Sequence, residues 1–235
     1  MKPRLLALTY ATVVLGLASA WFVFRQGLIP ARYSPLPVLD LAVARPWMTD
    51  WRLAELRHDT DLCRRVLKAP QIEAGPIADS PLKDGCGWTN SVRITSTGNA
   101  RLALDKLTCE SAAALALWMQ HEVQPLAERL LGQRVASVQH LGSYSCRNIR
   151  GSPDWRLTKS EHATANAIDI RGFTLADGRQ ISVLKAWSAG GSDAQFLQAV
   201  HQAACRYFRV VLGPAYNAAH RDHFHLDRGP LRRCG

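Results

Sequence analysis

The sequence has no CxxC pair, which excludes a zinc ribbon or a thioredoxin-type motif. It has no HExxH, which excludes a thermolysin-type peptidase. No stretch of about 20–50 residues recurs, so solenoids and propellers are excluded. Twelve Pro and sixteen Gly fall without a period, which excludes collagen-like and low-complexity chains. Charged residues make up only 20%, against 47% hydrophobic, and seven Trp are present, so the chain is not a disordered polyelectrolyte. No Lys/Arg run exceeds two residues interleaved with aromatics, so the +10 net charge carries no nucleic-acid signature. At 235 residues the chain is long enough to bury a core without help from its cysteines.

The first 25 residues contain no acid, and Leu5 to Phe24 contain neither charge nor Pro. Twenty such residues at 1.5 Å each reach about 30 Å, one hydrocarbon thickness. Lys2 and Arg4 precede the run and would stay in the cytoplasm, with the rest exported. Ala18-Ser19-Ala20 also reads as a signal-peptide cleavage site. The apolar run continues past it through Trp21 to Phe24, which favours an uncleaved anchor over 1–24 in the inner membrane. Residues 25–50 hold Pro30, Pro35, Pro37 and Pro46 with little period, and read as a Pro-rich linker. The domain proper is then 51–235, facing the periplasm, or released if cleavage follows Ala20.

Six well-spaced cysteines in an exported chain suggest up to three disulfides. Fifteen connectivities are open. Cys205 with Cys234 would staple the C-terminus to a helix. An anionic envelope polymer or a membrane surface suits the basic balance, as does simple solubility.

Ala112, Leu115, Trp118 and Met119 predict a helix with Thr108 as N-cap, a break or kink at Pro125 and a stop at Gly132. Phe196, Leu197, Val200, Ala204, Tyr207 and Phe208 form one stripe of a second helix opened by Ser192 and Asp193. Strands are predicted at 92–96, 101–104, 135–140, 167–172, 181–183, 210–212 and 223–226, with a hairpin turn at Asp177-Gly178. Strands and helices do not alternate strictly. The fold class is therefore α+β, a small mostly antiparallel sheet flanked by helices, with an N-terminal transmembrane helix.

Four of the eight His fall in two short segments, Ser160–Asp169 and His220–His225. On a strand, His223 and His225 point to one face and Phe224 to the other, toward a core. His220 comes from the preceding turn, and Asp222 is placed to orient an imidazole. Asp169 lies between Ile168 and Ile170, where an unpaired carboxylate is costly. His162 stands seven residues earlier and needs a returning loop to meet it. Two His and one Asp leave a fourth position for water, the arithmetic of a catalytic zinc site. The plainer alternative pairs Asp169 with an arginine and leaves the His on the surface. Trp88, Trp155 and Trp187 read as packing or groove residues, and His58, His121, His140 and His201 belong to no constellation.

Ser160-x-His162, Ala167-x-Asp169 and His223-x-His225 together resemble the D-Ala-D-Ala metallopeptidase group. That group includes penicillin-insensitive murein endopeptidases, lysostaphin-type peptidases and the hedgehog signalling domain. Over roughly 60–235 the chain resembles the bacterial extensin-like C-terminal family. Cys86-Gly87, Cys109, Ser143-Tyr144-Ser145-Cys146-Arg147, Ser160-Glu161-His162-Ala163, Val211-Leu212-Gly213-Pro214 and His223-Phe224-His225-Leu226-Asp227 carry this second likeness. The resemblance implies that His162, Asp169 and His225 hold Zn2+. It implies His223 as general base or stabiliser of the tetrahedral intermediate, His220 as a second imidazole, Arg147 facing the scissile carbonyl and Ser160 behind the ligands. Two departures stand out: Ala165 where relatives usually have Gly, and Asp222 where a Glu is usual. The implied function is a zinc peptidase acting on peptidoglycan stem peptides or cross-links. The alternative is a zinc-containing wall-binding module that does not hydrolyse.

Overall fold

The computed structural model describes residues 3–25, 28, 36–150 and 153–235. Lys2 and most of the linker between Arg25 and Leu36 lie outside the described residues. In chain order the elements are α1 (Pro3–Arg25), α2 (Thr49–Glu55), α3 (Thr60–Val66), β1 (Ile72–Pro76), β2 (Ser80–Lys83), β3 (Cys86–Trp88), β4 (Ser91–Thr97) and β5 (Ala100–Thr108). There follow α4 (Cys109–Trp118), α5 (Gln124–Leu131), β6 (Val135–Gly142), β7 (Ala167–Leu175), β8 (Gln180–Ser182), α6 (Val183–Ala186), α7 (Gly191–Ala204), β9 (Val210–Leu212), β10 (Phe224–Asp227) and β11 (Arg233–Cys234).

The sheet is larger and more mixed than the sequence suggested. Its order is β1-β4-β5-β6-β7-β10-β9-β11, with β8 added to the far half of β7, and β2 pairs β3 separately. The pairings of β5 with β6 and of β9 with β11 are parallel; the others are antiparallel. Every predicted strand is present, and the Asp177-Gly178 turn joins β7 to β8.

The helices cover the sheet's apolar side. Every residue of α4 is buried, including Glu110, which is paired with Arg57 and Arg228. Its Trp118 indole donates to the Val200 carbonyl on α7 at 2.9 Å. Pro125 does not end the helix. A π-helical stretch, Met119–Val123, precedes it, so the chain changes pitch and continues into α5. Gly132 closes α5 at φ 65°, as expected. Thr108 makes no capping bond; its hydroxyl donates instead to Asn166 Oδ1 at 2.8 Å.

Two expectations for the N-terminus need correction. Among the described residues no helix is long and apolar enough to cross a membrane, so the transmembrane helix is unsupported. The linker is also not a free tether throughout. Leu36, Leu39 and Leu41 are buried, and Asp50 on α2 binds Arg209, Arg228 and Arg232.

All six cysteines pair, as Cys63–Cys109, Cys86–Cys146 and Cys205–Cys234. The last is the staple the sequence suggested, and it fastens β11 to the end of α7.

Candidate metal centre

β7 and β10 run antiparallel in a register that sets Asp169 directly opposite His225. Residues opposite one another share a face, so both side chains rise from the same side of the sheet. Their neighbours Ile168, Ile170, Phe224 and Leu226 are fully buried. Alternation along the two strands therefore fixes the polar pair against an apolar floor.

His162 arrives by the returning loop that its spacing demanded. The segments on either side of 150 pair back on themselves: Ser160 N–H donates to the Arg147 carbonyl, Ile149 N–H to Thr158 and Ser145 N–H to His162. The Cys86–Cys146 disulfide pins this flap to β3. Ser160 then caps a 3-10 turn, Glu161–Thr164, which ends at Ala165 with φ 54°. Ala165 holds a left-handed conformation that Gly adopts more readily, and keeps the turn with a methyl at a cost of about 1 kcal/mol.

Three acceptor atoms meet at one point. His162 Nε2 lies 3.0 Å from Asp169 Oδ1, His225 Nδ1 lies 3.0 Å from the same oxygen, and the two nitrogens are 3.1 Å apart. The far nitrogen of each ring is already engaged. His162 Nδ1 is 3.2 Å from the Ser143 carbonyl, which can only accept, so that nitrogen carries a proton. His225 Nε2 is 2.9 Å from Asp227 Oδ2, and Asp227 is itself held by the Gly229 N–H at 2.8 Å. Both neutral imidazoles therefore turn lone pairs toward a carboxylate oxygen. Such a set requires a cation between its members. Without a metal a proton serves: burial opposes it, but hydrogen bonds to Asp169 and Asp227 outweigh burial and raise His225 to about pKa 9. For Asp169, burial is likewise overcome, by His162 and then His225, and its carboxyl is held well below the usual range.

The donor set fits zinc. Two imidazole nitrogens and one carboxylate oxygen suit it chemically, and a tetrahedral site with bonds of about 2.0 Å has edges of about 3.3 Å. The observed edges are close to that. His162 and His225 are buried and Asp169 nearly so, leaving one open side.

His223 stands at that side. Its Nε2 is 3.7 Å from Asp169 Oδ1, and its Nδ1 is 2.9 Å from Asp222 Oδ1. Asp222 thus orients an imidazole, as the sequence suggested. His220 packs beside His223 and His225, ring centroids 5.3 and 5.9 Å away, with Nδ1 on Asn217 Oδ1 at 2.7 Å. Burial, then the neighbouring His225 and His223 charges, lower it to about pKa 4. Arg147 lies in the same cleft, half-buried and outside hydrogen-bonding reach of the triad. Burial lowers its pKa while Asp169 acts to raise it.

Sequence reasoning singled out the three converging residues but not Asp227 or Asn217. Asp227 had a visible signal: it follows His225 by two, on the same strand face. Asn217 and the Ser143 carbonyl had none. Trp187 packs against Phe224 and His201 under the strand rather than in the cleft, whereas Trp155 lines the cleft.

Searches of curated proteins and of solved structures returned no match. A family model described as "Extensin-like protein C-terminus" matches residues 61–235. It spans every residue of the triad and its supports, and the chain belongs to that extensin-like C-terminal family.

Proposed function

We propose that this protein is a zinc-dependent peptidase that hydrolyses peptide bonds in peptidoglycan stem peptides or cross-links. The observation that carries the reading is the meeting of three lone pairs from His162, Asp169 and His225, each imidazole locked by an acceptor behind it. The likeness of these segments to D-Ala-D-Ala metallopeptidases supplies the substrate class. Three disulfides and the exposed apolar side chains of α1, among them Leu15, Leu17, Trp21 and Phe22, support an exported domain held at the inner membrane.

Zinc held by His162, Asp169 and His225 would supply a Lewis acid and a water acidified to about pKa 7. His223 takes the water proton at Nε2, and Asp222 steadies the imidazolium that results. Arg147 faces the negative charge that develops on the scissile carbonyl oxygen. His220, neutral at neutral pH, offers Nε2 as an acceptor for a substrate N–H. His223 returns its proton to the leaving amine.

Metal analysis of the full chain tests this first. About one zinc per wild-type chain is expected, and none in a His162→Ala, Asp169→Ala variant that keeps the fold. His223→Ala should keep the zinc and lose about 10²–10⁴-fold in release of fragments from purified peptidoglycan. A folded, zinc-free and active preparation would defeat the reading. Binding to peptidoglycan without new ends would favour the non-hydrolytic module instead.

A further inference from the structure

His225 of the triad, with His220 beside it, lines a cleft of about 380 Å3 between two walls. One wall is the flap that delivers His162; the other comprises Tyr216, Asn217 and 229–233, tied to α7 by Cys205–Cys234. The charge on these walls is unbalanced. Arg147, Arg150, Lys159, Arg232 and Arg233 line the cleft, against only Glu161 and Asp227.

Both acids are committed: Glu161 Oε2 accepts from Asn166 at 2.7 Å, and Asp227 accepts from His225 and Gly229. Arg232 binds Asp50, and Arg233 lies over the Tyr216 ring at 5.3 Å. That leaves Arg147, Arg150 and Lys159, none of which has an ion pair with a described acid. All three ride on the flap, where Asn148 and Lys159 bridge its two arms. Arg147 and Arg150 are close enough to repel, and Arg147 is half-buried. Like charges gathered on one wall, with more cations than acids around them and no ion pair of their own to a described acid, form a site for an anion.

We propose that Arg150 and Lys159 bind a free carboxylate on the substrate, so that the cleft selects peptides carrying an acidic group near the bond presented to the triad. This rests on the peptidase reading for the identity of the substrate. The segment Thr158–His162 joins Lys159 to His162 with two residues between. A carboxylate seated at Lys159 is therefore held at a fixed distance from the reacting centre, by the same element that places the metal ligand.

The test uses the full chain in detergent with two probes: isolated peptidoglycan, and the same material with its carboxyl groups amidated by carbodiimide and ammonium chloride. Retention in the pellet gives an apparent Kd, and the supernatant is assayed for released fragments and new amino ends. Native material should bind about tenfold more tightly than amidated material, the size expected for two charge-assisted contacts at a partly exposed site. An Arg150→Gln, Lys159→Gln variant should lose that preference while keeping the wild-type zinc content and melting temperature. Equal binding to both materials, or a preference that survives the double substitution, overturns the proposal. The two readings fail separately. A wild type that shows no preference but still releases fragments leaves the peptidase and removes the anion site. A wild-type preference that the double substitution abolishes, with no release from either protein, does the reverse. If phosphatidylglycerol vesicles bind more tightly than peptidoglycan, and the double variant abolishes this, the carboxylate assignment is overturned in favour of a lipid headgroup.

Discussion

Asp227 shows how a residue can govern a site it does not enter. Its Oδ2 fixes His225 Nε2 at 2.9 Å, and the Gly229 N–H fixes Asp227 in turn. Asp227→Asn would leave the strand intact but offer an amide where a carboxylate now orients the ring. Zinc affinity should fall about 10–100-fold, the usual loss when such a partner is removed, with little change in melting temperature. Competition against a chelator measures it; unchanged affinity would show that the Ser143 carbonyl and Asp169 suffice. At this scale much was legible. His223-x-His225 and a carboxylate between two Ile announce a shared polar face, because strand alternation is local. The proton arrangement was not legible, since it depends on a backbone carbonyl 19 residues from His162.

At the scale of elements, the flap is held by few hydrogen bonds among its described residues. It has one isolated bridge, a few backbone bonds and the Cys86–Cys146 link, which closes 60 residues. Cross-linking a loop of that length contributes up to about 4 kcal/mol by restricting the unfolded chain. Cys86→Ser with Cys146→Ser should therefore cost about 2–4 kcal/mol in denaturant unfolding. Because the flap carries His162, zinc affinity should fall as well. The equivalent change at Cys205 and Cys234 acts on the opposite wall and should spare the metal. Equal loss of metal in both variants would contradict this division. Strands built from alternating apolar residues were all legible. The missed ones, β1, β2, β3 and β11, contain Gly75-Pro76, Pro81, Gly87 or only two residues, and they pair because neighbours hold them rather than through their own pattern. Pro125 misled for a related reason: a π-helical turn ahead of it absorbs the missing donor.

Across the whole molecule, the N-terminal segment and the C-terminal strands share one charge cluster. Asp50 accepts from Arg209 Nε at 2.9 Å and Arg228 Nη2 at 2.8 Å, and it also binds Arg232. Arg228 continues to Glu110 at 2.6 Å, and Glu110 to Arg57 at 2.7 Å. No sequence pattern reveals contacts spanning 159 to 182 residues, which is why 25–50 read as a plain linker. Asp50 lies outside the residues matched by the family, 61–235, yet it neutralises arginines inside them. Burial opposes its ionisation, but Arg228 above all, with Arg209 and Arg232, outweighs burial and holds the carboxyl well below its ordinary range. A carboxylate with a depressed folded-state pKa contributes stability that is fully present above its unfolded value of about 4. That contribution is lost as pH falls through the unfolded value toward the folded one. Asp50→Asn should therefore cost about 3 kcal/mol at neutral pH, because it removes a carboxylate that faces the fully buried Arg228 and Arg209 side chains. The wild-type and variant unfolding curves should converge as pH drops from about 4 toward 2, where the wild type loses the same charge. Asp50→Glu, which keeps the charge, should recover part of the loss at neutral pH. A cost that is constant from pH 7 to pH 2 would mean that packing of α2, not the charge of Asp50, fastens the N-terminal segment to the domain.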